Sequence, residues 1–547
     1  MIENTAKNFV SNKTQIYPAD VIRMLDRYQL TEDTRAIIGK ENLLPAGLLS
    51  RLHSAYPNHS GIMASTDFLF RDKNLYSGLK GFGEIVDILQ KNGIEMGHIK
   101  ERELFIEVYR FLATKHVLNA INWNNFAEDS IFQLVFPQPG MINANTVEEY
   151  SKAKTKEEKE HIVEEYTKKT NPHDGKQKLN KPWFDNQQGE LEIVEGSQHK
   201  YPQCQLLFDK TTQSCFAFCS YCFRHAQVRG DHDMFIQKEI RQVHDYMKLH
   251  TEITDLIITG GDAGYMNASR FEEYITPIIE DPALGHIKSV RLGSRALTFH
   301  PELILTSDYN RMLELFKKLI DNGIQVAWMA HFSTPREILN LSSIAAIRRL
   351  RAHGVVIKSQ SPIMNHISLF MDKNGNVDVD RSAQNWIDLG NILAMLSIGF
   401  HSMYLARPTG EHHYFTAPLA DINKVFSKIY HSLASINRPS RYISMTSSAG
   451  KISMLGTVEV NGETVFALKF NEGRNMEWMD KVYLAKYDET ENTIEKLKPY
   501  GTSKFFYEDE LIEIENKLHD ALENRMKSNG HVADSIPSLA NSLPDDK

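Results

Sequence analysis

From about Tyr201 onward, short apolar and often β-branched runs alternate with longer segments of helical periodicity. The runs are QLLFDK, DLIITGGD, SVRLGSR, QVAWMAHF, VVIKSQS and GFHSMYLARP. Strand then helix, repeated in this way, predicts an α/β fold with parallel strands and crossover helices, arranged as an open sheet or as a complete or partial barrel. Such folds gather ligands at the carboxyl ends of their strands. Polar or glycine-rich residues stand there: Gly260, Gly261 and Asp262 after the second run, Ser294 and Arg295 after the third, His331 after the fourth, Gln360 after the fifth and Arg407 after the sixth.

Residues 1–195 read as a mainly helical N-terminal region and 196–455 as the strand-and-helix core. Within the first, EEYSKAKTKEEKEHIVEEYTKK spaces Glu and Lys as a solvated helix does. After the core run RYISMTSS come Ala449, Gly450 and Lys451, and GTVEVNGETVFALKF predicts a hairpin around Asn461 and Gly462. A hairpin-and-helix extension then covers 456–526, and the polar tail 527–547 reads as flexible. FMDKNGNVDVDR predicts a further hairpin at Asn374 and Gly375; it lacks the length and terminal glutamate of a calcium loop.

A chain of 547 residues exceeds what one hydrophobic core organises, and 41% hydrophobic with 24% charged residues suits a globular protein. The net charge of -8 argues against nucleic acid, whose phosphates demand a surplus of Lys and Arg. No stretch approaches the roughly 18 uninterrupted apolar residues of a membrane span, and MIENTAKNFVSNKTQ lacks the apolar core of a secretory signal. A cytoplasmic protein acting on small molecules is expected.

Three of the four cysteines crowd into QSCFAFCSYCFRH as Cys215, Cys219 and Cys222. Thiolates are soft ligands for zinc or for iron-sulfur clusters. Zinc wants four protein ligands, and His225 is near enough in sequence to be the fourth. An iron-sulfur cluster with three protein ligands and one open position explains the trio better.

CxxxCxxC after the first strand, followed by TGGDA after the second, resembles the radical S-adenosylmethionine superfamily. KYPQCQLLFDKTTQSCFAFCSYCFRH, LIITGGDA, VRLGSRAL, AHFSTPREI and GEHHYFTAP are similar, in the same order, to the lysine 2,3-aminomutase family, over about Lys200 to Lys451. The resemblance implies a partial six-stranded (β/α) barrel and makes Cys215, Cys219 and Cys222 ligands of a [4Fe-4S] cluster. Its open iron is chelated by S-adenosylmethionine, whose amino group meets Gly260, Gly261 and Asp262. It implies that Lys451 holds pyridoxal 5'-phosphate as an aldimine and that Arg224 binds the substrate carboxylate. By the same resemblance Ser294, Arg295, His331 and Gln360 are cofactor contacts. A 5'-deoxyadenosyl radical then moves the amino group of an α-amino acid from C2 to C3, with electrons from a donor such as flavodoxin or ferredoxin. A homo-oligomer is compatible with it.

The sequence departs from the family at the two aspartates that hold the distal ammonium of lysine: Arg407 stands at or beside one position and Ser444 at the other. A guanidinium and a hydroxyl leave that ammonium unpaired, so an acidic amino acid such as glutamate is the expected substrate. The first-strand arginines for the cofactor phosphate are also missing, with Lys200 and Cys204 in their place. Two other readings stay open: a radical enzyme without pyridoxal phosphate acting on another small molecule or a peptide, and a non-catalytic protein using its metal structurally.

Overall fold

The computed structural model describes residues 15–57, 59, 68–170, 179–186, 188–230 and 235–528. Most of the expected flexible tail lies outside them. Fifteen strands occur among the described residues. Two short antiparallel pairs come first, β1 (Leu75–Ser77) with β2 (Leu112–Thr114) and β3 (Trp183–Asp185) with β4 (Leu191–Ile193). The other eleven form one mixed sheet in chain order: β5 (Ser197–Tyr201), β6 (Cys204–Phe208), β7 (Asp255–Thr259), β8 (Ser289–Ser294), β9 (Gln325–Ala330), β10 (Val356–Pro362), β11 (Gly399–Tyr404), β12 (Ser444–Thr446), β13 (Gly450–Val460), β14 (Glu463–Gly473) and β15 (Val482–Lys486).

Strands β6 to β12 are parallel neighbours in sequential order, and each apolar run of the sequence supplies one of them. The crossovers are helices Ile240–Leu249, Ala268–Glu280, Asn310–Asp321, Leu341–Ala352, Val379–Met395 and Leu419–Ser432. Local chemistry starts several of them: Asn267 accepts from the Arg270 amide at 2.9 Å, Asn340 from Ser343 at 2.8 Å and Asp378 from Arg381 at 3.0 Å. Helix Asn310–Asp321 buries Met312, Leu313, Leu315, Phe316 and Leu319, the stripe its 3.6-residue period dictates. Facing it, Val290, Leu292, Val326 and Trp328 are buried, each burial of such a side chain contributing about 2 kcal/mol.

The sheet curves enough to bring β5 against the turn between β12 and β13. On β5, Lys200 donates to the carbonyl of Ser447, just past β12, and the Tyr201 ring lies 5.7 Å from the Lys451 ammonium on β13. Past β12 the sheet turns antiparallel, and β13 and β14 form the hairpin expected around Asn461 and Gly462, both at positive φ.

The described residues before the sheet are mainly helical, with the pairs β1–β2 and β3–β4 as unforeseen interruptions. The Glu/Lys-rich run is two helices, Ala144–Lys152 and Lys156–Lys168, because Thr155 and Glu158 form a capping box that starts a new helix. It is not wholly solvated either: Tyr150 donates to Glu107 and Tyr166 to Glu411, each at 2.8 Å. At Asn374 and Gly375 the expected hairpin is a turn closed by the single bridge Met371 to Val377, with Asp372 accepting the Asn374 and Asn376 amides. One contiguous apolar cluster runs from Ile16 to Phe505. No helix among the described residues is long and apolar enough to cross a membrane.

Candidate functional site

The cysteine loop leaves the carboxyl end of β6 and is braced by the N-terminal region. Phe218 donates its amide to the Leu112 carbonyl and Ser220 to that of Leu134, both at 2.8 Å, while the Ser220 hydroxyl donates to Gln133 at 2.7 Å. Cys215, Cys219 and Cys222 are half-buried. Burial, reinforced by neighbouring acidic groups, raises all three thiols, Cys222 to about 12. Three thiolates are therefore held here only against bound cationic metal. Among the described residues no set of three His, Cys, Asp or Glu side chains is placed to hold one ion. His225 turns its Nε2 to the Thr170 carbonyl at 3.2 Å and packs edge-on against Tyr109, 5.0 Å away.

The Gly260–Asp262 turn presses on this loop. Gly261 and Asp262 donate their amides to the Thr212 carbonyl at 2.8 and 3.1 Å. A Cβ at Gly261 would lie 2.6 Å from the Ser214 carbonyl oxygen and 2.9 Å from the Cys215 sulfur, so only glycine fits. Gly260 has φ +137°. The Asp262 carboxylate accepts from the amides of Gly264 and Arg295, each at 2.8 Å, and burial raises it to about 6.

The other strand-end residues divide by their partners. Ser294 accepts from the Ala296 amide, and Arg295 pairs with Glu337 at 3.0 Å and donates to Tyr221 at 2.7 Å. This buried trio ties the cysteine loop to the ends of β8 and β9. His331 is kept neutral to about pH 3 by burial and by Arg295 and Arg224. Gln360 accepts from Tyr404 at 3.0 Å. Ser444 is fully buried on β12, its hydroxyl without a hydrogen bond among the described residues.

Arg224 donates to the Thr259 hydroxyl at 2.6 Å and stacks 5.2 Å from the Phe223 ring. Arg407 lies 4.6 Å from that same ring. Burial, then the like charge of Arg407, lowers Arg224 to about 10. Lys200 is next: burial, then Arg474 and Arg407, push its pKa far down. Arg474 donates to Ser448 at 2.9 Å and to Asn180 at 2.8 Å. Arg224 and Arg407 thus share the Phe223 ring beside the cysteine loop, and Lys200 and Arg474 share the turn before Lys451. Among the described residues none of them forms an ion pair.

Lys451 differs from a desolvated amine. Burial alone lowers its pKa, but Tyr404, Glu472 and Tyr201 outweigh it and raise the value, and Glu472 pairs with it at 3.2 Å. Sequence reasoning missed Glu472, Arg474, Tyr201, Tyr221 and Glu337. For Glu472 a signal existed, since counting back equally from the Asn461 and Gly462 turn sets it opposite Lys451.

Fold and site define an α/β protein with a triple-thiol loop and a buried lysine at the rim of one curved sheet. No family model matches the chain. Over 267 residues, 49% of the chain, it is 26% identical to an Aquifex aeolicus protein named provisionally as an L-lysine 2,3-aminomutase. It is 30% identical over 170 residues to glutamate 2,3-aminomutase of Clostridioides difficile, and 28% over 176 residues to L-lysine 2,3-aminomutase of Clostridium subterminale, 31% and 32% of the chain. The aligned segments span 66%, 37% and 39% of those relatives' own lengths. The chain is thus similar, at modest identity and over at most half of its length, to proteins named as lysine and glutamate 2,3-aminomutases.

Proposed function

We propose that this protein is an isomerase that moves the amino group of an α-amino acid from C2 to C3, with an acidic amino acid such as glutamate as substrate. The observation that carries the reading is the placement of two basic pairs, Arg224 with Arg407 at the Phe223 ring and Lys200 with Arg474 at the turn before Lys451. Half-buried basic groups crowded together without an ion-pair partner are costly to charge, and anionic ligands offset that cost. A cofactor phosphate and the two carboxylates of an acidic substrate together supply the needed charge. The distal ammonium of lysine would face Arg407 instead.

The residues present fit the implied cofactors. Three thiols that each bind a different iron need not converge on one point, which suits a [4Fe-4S] cluster. The glycine turn packs closely on Cys215, beside which S-adenosylmethionine would bind, and Lys451 is the amine for pyridoxal 5'-phosphate. In this reading the curved sheet is a partial barrel. When bound, these groups supply a radical that abstracts hydrogen and an electron sink through which nitrogen migrates.

The chain does the holding. Arg224 takes the substrate α-carboxylate beside the cluster loop, its angle fixed by Thr259 and Phe223. Arg407 takes the distal carboxylate. Glu472 keeps the amine of Lys451 protonated and in place whenever it is not bonded. Arg295, Glu337 and Tyr221 lock the strand ends, and Phe208 and Phe223 exclude water around Arg224. A flavodoxin or ferredoxin is the class of partner that would deliver electrons.

Anaerobic reconstitution with iron, sulfide, S-adenosylmethionine and pyridoxal phosphate, against a panel of α-amino acids, tests the reading. It predicts a β-amino acid product from glutamate in preference to lysine. Preferential turnover of lysine overturns the substrate assignment; cleavage of S-adenosylmethionine without any β-amino product favours a radical enzyme that does not use pyridoxal phosphate.

A further inference from the structure

We infer that Lys200 and Arg474 form the seat of a dianionic phosphate group, so that the C-terminal hairpin supplies what the first strand lacks. This rests on the proposed use of pyridoxal phosphate. Lys200 is the last residue but one of β5 and Arg474 directly follows β14, yet both hold the same turn: Lys200 donates to the Ser447 carbonyl, and Arg474 donates its Nε to Ser448 and its amide to Ala449, at 2.9 and 3.0 Å. That turn feeds directly into Gly450 and Lys451. A Cβ at Gly450 would collide with the Glu472 carbonyl, so the turn is pinned against β14 as well.

The spacing suits one ligand reaching both ends. Lys200 and Lys451 lie 5.6 and 5.7 Å from the centroid of the same Tyr201 ring. A phosphorylated aromatic aldehyde held at Lys200 and Arg474 would therefore sit within the surroundings that Lys200 and Lys451 share. Arg407, which lies against the Phe223 ring with Arg224, remains for the substrate carboxylate. Charge on Lys200 is disfavoured by burial and by both arginines, and an incoming dianion reverses that, so binding takes up a proton.

The test measures binding of pyridoxal 5'-phosphate, pyridoxal, inorganic phosphate and glutarate to the full chain and to Lys200→Met, Lys200→Arg and Arg474→Gln. Lys200→Met and Arg474→Gln weaken pyridoxal phosphate and inorganic phosphate by about tenfold or more, leave pyridoxal and glutarate unchanged, and Lys200→Met abolishes the calorimetric proton uptake. Lys200→Arg retains most of the phosphate affinity, which separates lost charge from lost fold. Unchanged phosphate binding in both neutral variants, while the wild-type chain forms its adduct at Lys451, overturns the seat and leaves the proposed function standing. Loss of glutarate binding instead of phosphate binding assigns these cations to the substrate carboxylate and also overturns it. Failure of the wild-type chain to bind pyridoxal phosphate at all defeats the function itself.

Discussion

Lys451 on β13 stands opposite Glu472 on β14, and their side chains meet in a 3.2 Å ion pair that Arg441 shares, also at 3.2 Å. A carboxylate so placed favours the ammonium form of the lysine. Glu472→Gln removes that support and leaves Arg441 uncompensated, so the Lys451 pKa falls. The pH midpoint for imine formation with pyridoxal phosphate, followed by absorbance, is expected to move to lower pH. Lys451→Met is expected to abolish any borohydride-reducible adduct.

The three loop cysteines and Cys204 should part company in iron binding. Cys204 is buried on β6 beside Arg291, remote in role from the loop, and burial holds its thiol protonated. Alanine at Cys215, Cys219 or Cys222 is expected to abolish the iron-sulfur absorbance of anaerobically reconstituted protein. Cys204→Ala is expected to leave it intact.

Gly261→Ala forces a methyl group against the Ser214 carbonyl and the Cys215 sulfur. Overpacking of this kind costs about 1–3 kcal/mol and moves the loop. Reduced denaturant stability and lower iron retention are expected together. Gly293→Ala on β8 serves as the control, since its Cβ would meet nothing closer than 3.7 Å.

His331 sets a pH dependence. It stays neutral in the fold to about pH 3, whereas an unfolded histidine protonates near 6.5. Below that value the unfolded state binds the extra proton, so this residue's contribution to stability falls as pH falls, by about 1 kcal/mol per pH unit. Urea unfolding at pH 7 and pH 5 is expected to show a smaller acid-induced loss for His331→Gln than for the wild-type chain.

Much of this was legible because the information is local. Each apolar run became a strand of the parallel set, and the Asn461 and Gly462 dipeptide became a hairpin turn, since period and turn chemistry act within a few residues. The cysteine spacing and the Gly260 to Asp262 turn were equally readable. Strand β5 escaped notice because SQHKY carries no apolar alternation, and the new start at Thr155 was hidden in a run that looks uniformly helical. Ser444 lies within the expected run RYISMTSS, but that its hydroxyl is fully buried depends on the strands packed beside it.

By itself the sequence determined the kind of elements, their order, the thiol trio and the lysine that follows the last parallel strand, all of which follow from short-range pattern. Only the tertiary structure decided which charges meet. Curvature of the sheet sets Lys200 against the turn before Lys451, the hairpin brings Glu472 and Arg474 back to it, and Arg407 and Arg224 converge on Phe223 from separate strand ends. Electrostatic energy depends on distance through space, and distance is fixed by how the sheet curves.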